Sequence, residues 1–461
     1  MRYITIKHVL IITAALCGAS GCDQVREIPF GNGYVAKNIC SGLFVSGIEE
    51  SVLKKRYVAP AVDPLPLLWK VDIDRENHRV TASDIIFRDL FKQEAYYRPG
   101  FGCTLLQDST TAALDAQLPT AVDPISTPSW RFWPRGSAGV WPLAIPEVDY
   151  AAVNSAIDHA FTETPDQTRQ TAAVLVAYDD LLIAERYAPG ITKDTRLLGW
   201  SMSKSFTATL IGLLQDRQMI ATHWPAPVPE WQGTAKADIT LEDLLHMASG
   251  LEYYEESRGP NNDQSYTLHA TEQFADFILD RPQVAEPGTR YNYSTAETML
   301  IAKIAQDTLG GTMADTYHFL NNTLFGPLGI TDAVLEYDTA GNPAGGAYLM
   351  MKPRDWARLG LLYLRHGDWF GQQVLSESWV DYALRPSPAN PQYAKQIWVN
   401  SSGTLWPSLP RDAFGFLGFQ QQNVIVVPSR ELVVVRMGFS FEEGVSEVEQ
   451  LVARILEALP E

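Results

Sequence analysis

The chain has 461 residues, 46% of them hydrophobic, and carries a formal net charge of -18. A chain of this length can bury a large core, and we expect one catalytic domain of roughly 300 residues preceded by an N-terminal appendage. The acidic balance argues against nucleic acids and anionic membrane surfaces as partners, because phosphate recognition requires clustered basic side chains.

The first 21 residues have the pattern of an export signal. Arg2 and Lys7 supply positive charge, residues 9–16 are apolar but too few to span a bilayer permanently, and small residues at 19–21 precede Cys22. This ending resembles a bacterial lipobox, which predicts an exported lipoprotein on the periplasmic side of the cell envelope, anchored to the membrane through Cys22. The alternative is an ordinary cleaved signal that leaves Cys22 as a free thiol.

The cysteines support export to an oxidising compartment. If Cys17 leaves with the signal and Cys22 carries lipid, Cys40 and Cys103 remain as one candidate disulfide pair. Such a bond would close a long loop and contribute roughly 3 to 4 kcal/mol. The histidines show no metal-ligand spacing, and we predict neither a metal nor an organic cofactor.

The appendage reads as a small β-rich unit. Residues 34–36 and 43–45 have the composition of strands, and residues 68–73 predict a strand that turns at 74–77. A connection rich in Pro, Ser and Trp around 128–134 predicts the boundary. We therefore divide the chain into the signal (1–21), the appendage and linker (22–140) and the main domain (141–461).

The main domain opens with a helical pattern near Glu147 and a hairpin of residues 172–177 and 181–184. A second hairpin, residues 424–427 and 432–436, precedes a closing helix over 445–459. Hairpins from both ends of one domain predict a single antiparallel sheet with the terminal helices packed on it. Residues 205–390 would form a helical layer on the other side, which gives an α+β fold.

A serine and a lysine stand three residues apart at Ser201-x-x-Lys204, at the start of a helix with an apolar stripe. Residues at this spacing share one helix face, so the lysine amine can reach the serine hydroxyl and activate it as a nucleophile. The helix N-terminus would also stabilise a developing oxyanion. The motif is short, and a second copy at 51–54 has no other catalytic signal around it.

Tyr293 precedes the capping box Ser294-x-x-Glu297, which places it just outside the start of a helix. A phenol in that position can face a cleft, and a nearby lysine cation would lower its pKa so that it could act as a base. The alternative is a hydrophobic residue that steadies the helix entry without taking part in chemistry.

Four sequence elements resemble the β-lactamase-related serine hydrolases of class C type, and they follow one another along the chain in the order typical of that family. The similarity runs from about residue 150 to the end of the chain, and its sub-pattern resembles the esterase and aminohexanoate-oligomer (nylon-oligomer) hydrolase branch. Segments 37–42 and 97–105 are similar to the N-terminal part of that branch. The elements are residues 201–206, 239–251, 287–294 and 412–436.

The resemblance implies a β-lactamase/DD-peptidase-like fold with an antiparallel sheet, flanking helices and a helical subdomain. By position, Ser201 would be the acylated nucleophile, Lys204 the amine that activates it, and Tyr293 the general base and later proton donor. The backbone amides of Ser201 and Phe419 would form the oxyanion hole. The reaction would be a two-step acyl transfer from a small-molecule ester or amide to water.

Two departures bear on the substrate. The third family motif, Lys-Thr-Gly or His-x-Gly, is absent, and Thr295 stands where these lactamases carry asparagine. Esters or linear amides with an apolar or aromatic portion therefore fit better than β-lactams. A DD-peptidase-like cell-wall enzyme and a non-catalytic binding lipoprotein stay open as alternatives, as does the oligomeric state. The residues predicted to contact substrate are Trp200, Tyr254, Asn262, Thr295, Gly418 and Gln422.

Overall fold

The computed structural model describes residues 19–61, 69–85, 88–120, 124–164, 168–255, 262–442, 444 and 446–460. Residues 1–18 of the predicted export signal therefore lie outside the described residues, while Cys22 falls in the first helix. None of the helices within these ranges combines the length and the apolar character that a bilayer crossing requires.

The N-terminal appendage is a long helix packed on a four-stranded antiparallel sheet with strand order β1-β2-β3-β4. Wide helical turns at Ser41–Val45 and Lys54–Val58 continue its helices. In chain order its elements are α1 (Ala19–Cys40), α2 (Glu50–Leu53), α3 (Ala59–Ala61), β1 (Trp69–Asp74), β2 (Arg79–Asp84), β3 (Arg88–Arg98), β4 (Gly102–Leu105) and α4 (Thr111–Asp115).

The strands predicted at 34–36 and 43–45 are wrong, because both segments are helical. Their apolar character has another cause: Val35, Ala36 and Ile39 are buried where α1 packs on β2 and β3. A short apolar run fits a buried helix as well as a strand, and the tertiary contact decides between them. The strand predicted at 68–73 is confirmed as β1 over its described residues, and it forms a hairpin with β2.

Cys40 and Cys103 form a disulfide, as predicted. The bond joins the end of α1 to β4 across a sequence separation of 63 residues. Both cysteines are buried, so the bond fastens the long helix to its sheet inside the core of the appendage.

The main domain contains a six-stranded antiparallel sheet of order β10-β11-β12-β13-β5-β6, a small sheet of order β7-β9-β8, and a helical layer. In chain order its elements are α5 (Tyr150–Phe161), β5 (Thr171–Tyr178), β6 (Leu181–Tyr187), β7 (Leu197–Leu198), α6 (Met202–Asp216), α7 (Leu241–Leu245), α8 (Asp263–His269), α9 (Asp276–Leu279), α10 (Thr295–Leu309), α11 (Met313–Leu320), α12 (Gly326–Leu328), β8 (Val334–Leu335), β9 (Leu349–Met351), α13 (Pro353–Leu364), α14 (Glu377–Ala383), β10 (Trp398–Val399), β11 (Phe414–Gly418), β12 (Gln422–Val427), β13 (Leu432–Gly438) and α15 (Val448–Glu457).

The two predicted hairpins meet in one sheet, as expected. β13 pairs with β5, and Val434 lies opposite Val176. The terminal helices α5 and α15 cover the face that carries these two valines, while α13 packs against β12, β13 and β5. The sheet is buried on both faces, which gives the site a rigid support.

Helix α6 is buried on all sides from Met202 to Leu214, not only along the predicted apolar stripe. Its polar residues are accommodated by hydrogen bonds: Ser205 donates to the carbonyl of Gln396, and Thr207 donates to that of Gly345. A buried helix with satisfied polar groups is held in one register. The first turn of α6, which carries the predicted nucleophile, is therefore fixed.

Candidate active site

Ser201 stands at the N-cap of α6, and within the described chain its hydroxyl caps none of the helix amides. The preceding residue, Trp200, adopts a left-handed backbone conformation with φ of 48°. That conformation is costly for a bulky residue and is typical of strained functional turns. The serine hydroxyl is thus spared from helix capping and lies at the positive end of a buried helix.

The Lys204 amine lies one helical turn from this hydroxyl. Its Nζ is 3.0 Å from Ser201 Oγ, 2.9 Å from Thr295 Oγ1 and 2.9 Å from the carbonyl oxygen of Gly346. The lysine is 1% exposed, and burial lowers its pKa from the usual 10.5 to about 8, although the charge of Glu255 opposes this shift. The amine can therefore lose and regain a proton close to neutral pH.

Tyr293 lies directly before α10, where the Ser294 side chain caps the amide of Glu297. Only this half of the predicted capping box is formed, because the Glu297 carboxylate accepts from Ser249 and the Ser294 amide bonds to the sulfur of Met247.

The ring centroid of Tyr293 is 4.8 Å from Lys204 Nζ, and the Ser201 side chain is close enough to the phenol to act on its pKa. Burial, and next the charge of Glu255, raise the pKa of Tyr293 well above 10. This differs from the lowered pKa expected from the sequence, because burial and the charge of Glu255 dominate the environment of the phenol.

Gly418 ends β11 beside the nucleophile turn. A Cβ at this position would lie 2.2 Å from the carbonyl oxygen of Gly199 and 3.2 Å from the backbone nitrogen of Ser201, so only glycine permits the approach. Phe419 follows directly, with its side chain 45% exposed and its ring edge against Trp200. The main chain at 418–419 is thus adjacent to Ser201, as the predicted oxyanion hole requires.

Two predicted substrate contacts serve the fold instead. Trp200 is 6% exposed and donates from its indole nitrogen to Gln420, while rings of the appendage, Tyr34 and Tyr57, pack on it. Gln422 is 1% exposed, and its amide both donates to and accepts from the backbone of Gly438. Both side chains stabilise the walls behind the nucleophile.

The other predicted contacts differ in their exposure to solvent. Tyr254 is half exposed and donates its phenol proton to Glu252. Asn262 caps the amides of α8 through its side chain. Thr295 is fully buried and accepts the Lys204 hydrogen bond, so it lies behind the Lys204 amine and away from solvent.

Glu255 is the residue that sequence reasoning missed. The segment around it reads as a polar surface loop, yet its carboxylate turns inward and accepts hydrogen bonds from Thr295 and Gln264. The presence of threonine in place of asparagine at 295 is the one sequence signal that this corner of the site differs. Among the described residues, no group of His, Cys, Asp and Glu side chains is arranged to hold a metal ion.

A hydroxyl at the start of a buried helix, one turn from a buried amine and beside a sheet end, defines a serine hydrolase of the β-lactamase and penicillin-binding-protein fold. The Beta-lactamase family model matches residues 157–457, more than half of the chain. The chain therefore belongs to the Beta-lactamase family and is a serine hydrolase, which confirms the resemblance drawn from the motifs.

Individual relatives agree with this assignment. The chain is 25% identical over 311 residues to a 6-aminohexanoate-dimer hydrolase of Paenarthrobacter ureafaciens, a match that covers 61% of this chain and 77% of that protein. It is similar in structure to a family VIII carboxylesterase, with a TM-score of 0.55, 15% identity, and 69% and 100% of the two chains covered. A penicillin-binding protein homologue from Caulobacter crescentus has a TM-score of 0.53, 16% identity, and 69% and 98% coverage. The two structures establish the fold.

Proposed function

We propose that this protein cleaves an ester or linear amide bond of a small molecule through a covalent acyl-enzyme on Ser201. The observation that carries the proposal is the contact of 3.0 Å between Lys204 Nζ and Ser201 Oγ, with the ring centroid of Tyr293 4.8 Å from the same amine. Nucleophile and base within hydrogen-bond reach are the requirement for covalent catalysis by serine.

Lys204 is the better proton acceptor of the two partners. Its pKa of about 8 leaves part of the amine neutral near pH 7, whereas Tyr293 keeps its proton. As Ser201 Oγ bonds to the substrate carbonyl carbon, its proton passes to Lys204. Tyr293 then protonates the leaving oxygen or nitrogen as that bond breaks, and it is reprotonated from Lys204. Water repeats the sequence on the acyl-enzyme and releases the acid.

The substrate class follows from the site and from the relatives. Gln420 lies in the region of the missing third motif. Its side chain is uncharged, buried and hydrogen-bonded to Trp200, so it supplies no cation for a β-lactam carboxylate. One relative is named as a hydrolase of the 6-aminohexanoate dimer and one neighbour as a carboxylesterase. These support linear amides and esters as substrates.

Ser201→Ala tests the proposal, with Ser51→Ala as the matched control because Ser51 belongs to the second Ser-x-x-Lys copy and is exposed. We expect a fluorophosphonate probe to label Ser201 in the wild type and in Ser51→Ala. In Ser201→Ala, labelling should disappear and kcat/KM for p-nitrophenyl esters should fall by roughly 10³-fold or more.

Other outcomes favour the alternatives. Rapid trapping of labelled penicillin on Ser201, with slow ester turnover, would support a DD-peptidase-like enzyme. A folded wild type that neither reacts with the probe nor turns over any ester would support a binding lipoprotein and would end the proposal.

We further propose that the appendage and the hydrolase domain are exported together and held at the membrane by one lipid anchor at Cys22. The support is the sequence pattern before Cys22 and the acidic chain, which has little electrostatic attraction for anionic lipid surfaces. In a bacterial host, Cys22→Ser should move the protein from the membrane fraction to the soluble fraction and abolish incorporation of labelled palmitate. Unchanged membrane association of Cys22→Ser would contradict the anchor.

A further inference from the structure

A single hydroxyl connects Lys204 to a carboxylate. Thr295 Oγ1 accepts a hydrogen bond from Lys204 Nζ at 2.9 Å and donates one to Glu255 Oε1 at 2.8 Å. Glu255 is fixed by two further donors, the backbone amide of Thr295 at 2.6 Å and the side-chain amide of Gln264 at 2.7 Å. Donors from the start of α10 and from α8 therefore hold the carboxylate in one orientation behind the base.

The threonine hydroxyl has one proton, and that proton is committed to Glu255. Thr295 therefore has no donor left for a substrate carbonyl, and its place between the amine and the carboxylate defines its task. A series of hydrogen bonds runs from Ser201 through Lys204 and Thr295 to Glu255. It connects a nucleophile to a base and the base to an acidic group. In covalent catalysis, the base that activates a nucleophile is commonly oriented by a third group in the same way.

We infer that Glu255, acting through Thr295, is a positioning residue for Lys204. It directs the amine toward Ser201 and stabilises the ammonium ion that forms when the serine proton arrives. The inference rests on the proposed function, since it concerns the same reaction, and it adds a residue to which no role is otherwise assigned.

The charge of Glu255 has a defined effect on the base. Burial lowers the pKa of Lys204, and Glu255 raises it. If Lys204 must be neutral to accept the proton, kcat/KM rises with pH through the pKa of this lysine. Removal of the Glu255 charge lowers that pKa, so the rise moves to lower pH, while the less basic amine reduces the plateau rate.

Other titratable groups surround this series of hydrogen-bonded residues. Burial raises the pKa of Glu297, on α10, to about 8. The hydrogen bond from Ser249 lowers this pKa, and the charge of Asp243 raises it. Asp263 faces Tyr253. The phenols have pKa values raised above 10, chiefly by burial, so they stay protonated over the range of the experiment; these are Tyr253, Tyr291, Tyr293 and Tyr393.

The test is the pH profile of kcat/KM for a p-nitrophenyl ester. Glu255→Gln should move the midpoint of the rise to lower pH by about 1 unit or more and lower the plateau by roughly tenfold. Thr295→Val should move the midpoint in the same direction, and Thr295→Ser, which keeps the hydroxyl, should restore the wild-type midpoint. The matched control is Glu252→Gln, in the same segment but paired with Arg281, and it should leave the profile unchanged.

A Glu255→Gln enzyme with a reduced plateau and an unmoved midpoint would show a merely structural role and overturn the inference. If Glu255→Gln does not fold, an unmoved midpoint in Thr295→Val overturns the inference equally. The proposed function fails separately, by the absence of Ser201-dependent turnover in the wild type.

Discussion

Replacement of Lys204 by methionine is expected to reduce kcat/KM for ester substrates by roughly 10³- to 10⁴-fold. The substitution removes the amine 3.0 Å from Ser201 Oγ while it keeps an unbranched apolar side chain in the buried space. Without the amine, none of the described side chains that hydrogen-bond to the hydroxyl has a pKa near neutrality and could receive its proton. The rate of fluorophosphonate labelling and steady-state kcat/KM measure the loss, and circular dichroism verifies the fold.

Three further variants show whether the loss comes from the proton transfer. Lys204→Arg keeps a positive charge that does not dissociate at working pH, so it should stay close to Lys204→Met in activity. Tyr293→Phe should be slow on its own, and the double variant with Lys204→Met should be little slower than the worse single variant, because groups that act as a unit are not additive. A folded Lys204→Met enzyme whose kcat/KM lies within tenfold of the wild-type value would contradict the assignment of Lys204 as the base.

The local half of this site could be predicted from the sequence because it depends on short-range geometry. A spacing of three residues on a helix fixes the approach of Lys204 to Ser201, and a capping residue fixes the place of Tyr293 before α10. The two hairpins were equally legible, since a turn between two apolar runs leaves few alternatives.

The other half depends on contacts between distant parts of the chain. Thr295 and Gly346 meet Lys204 from 91 and 142 residues away. Gln422 was predicted to contact substrate, but the register of β12 on β13 directs its amide to Gly438. Glu255 has a surface-like sequence context, and only the fold shows that its carboxylate is turned inward. Spacing along the chain does not carry these facts.

The appendage illustrates a further limit of local patterns. α1 contains Pro29 and three glycines of low helix propensity, which favours a non-helical interpretation of its sequence. The helix nonetheless packs on β2 and β3, and from there Tyr34 stacks on Trp200, the neighbour of Ser201. Residues outside the family match at 157–457 therefore help to build the wall of the site.

A buried ion pair fastens this appendage to the main domain. Lys37 of α1 pairs with Glu336, which follows β8, and the two residues are 1% and 0% exposed. Glu336 also accepts hydrogen bonds from the Ser41 hydroxyl at 2.8 Å and from the backbone amide of Cys103 at 2.7 Å. Gly102 leaves the space that the carboxylate needs, since a Cβ there would lie 2.4 Å from Glu336 Oε1.

Glu336→Ala is expected to lower the free energy of unfolding by about 3 to 5 kcal/mol. The substitution leaves the Lys37 ammonium buried without a counter-charge and removes the acceptor for Ser41 and Cys103. Burial lowers the pKa of Lys37 and Glu336 raises it, so the variant lysine would lose its proton more readily. Urea unfolding followed by tryptophan fluorescence measures the change.

The matched control is Glu94→Ala, which breaks the ion pair with Arg79 on the surface of the appendage sheet. This substitution should lower the free energy of unfolding by less than about 1 kcal/mol. Lys37→Met combined with Glu336→Ala leaves no unpaired charge, so it should be more stable than Glu336→Ala alone. That recovery separates the charge from simple loss of packing. A Glu336→Ala protein as stable as Glu94→Ala would mean that the appendage is held by its apolar contacts and disulfide, with no net contribution from the ion pair.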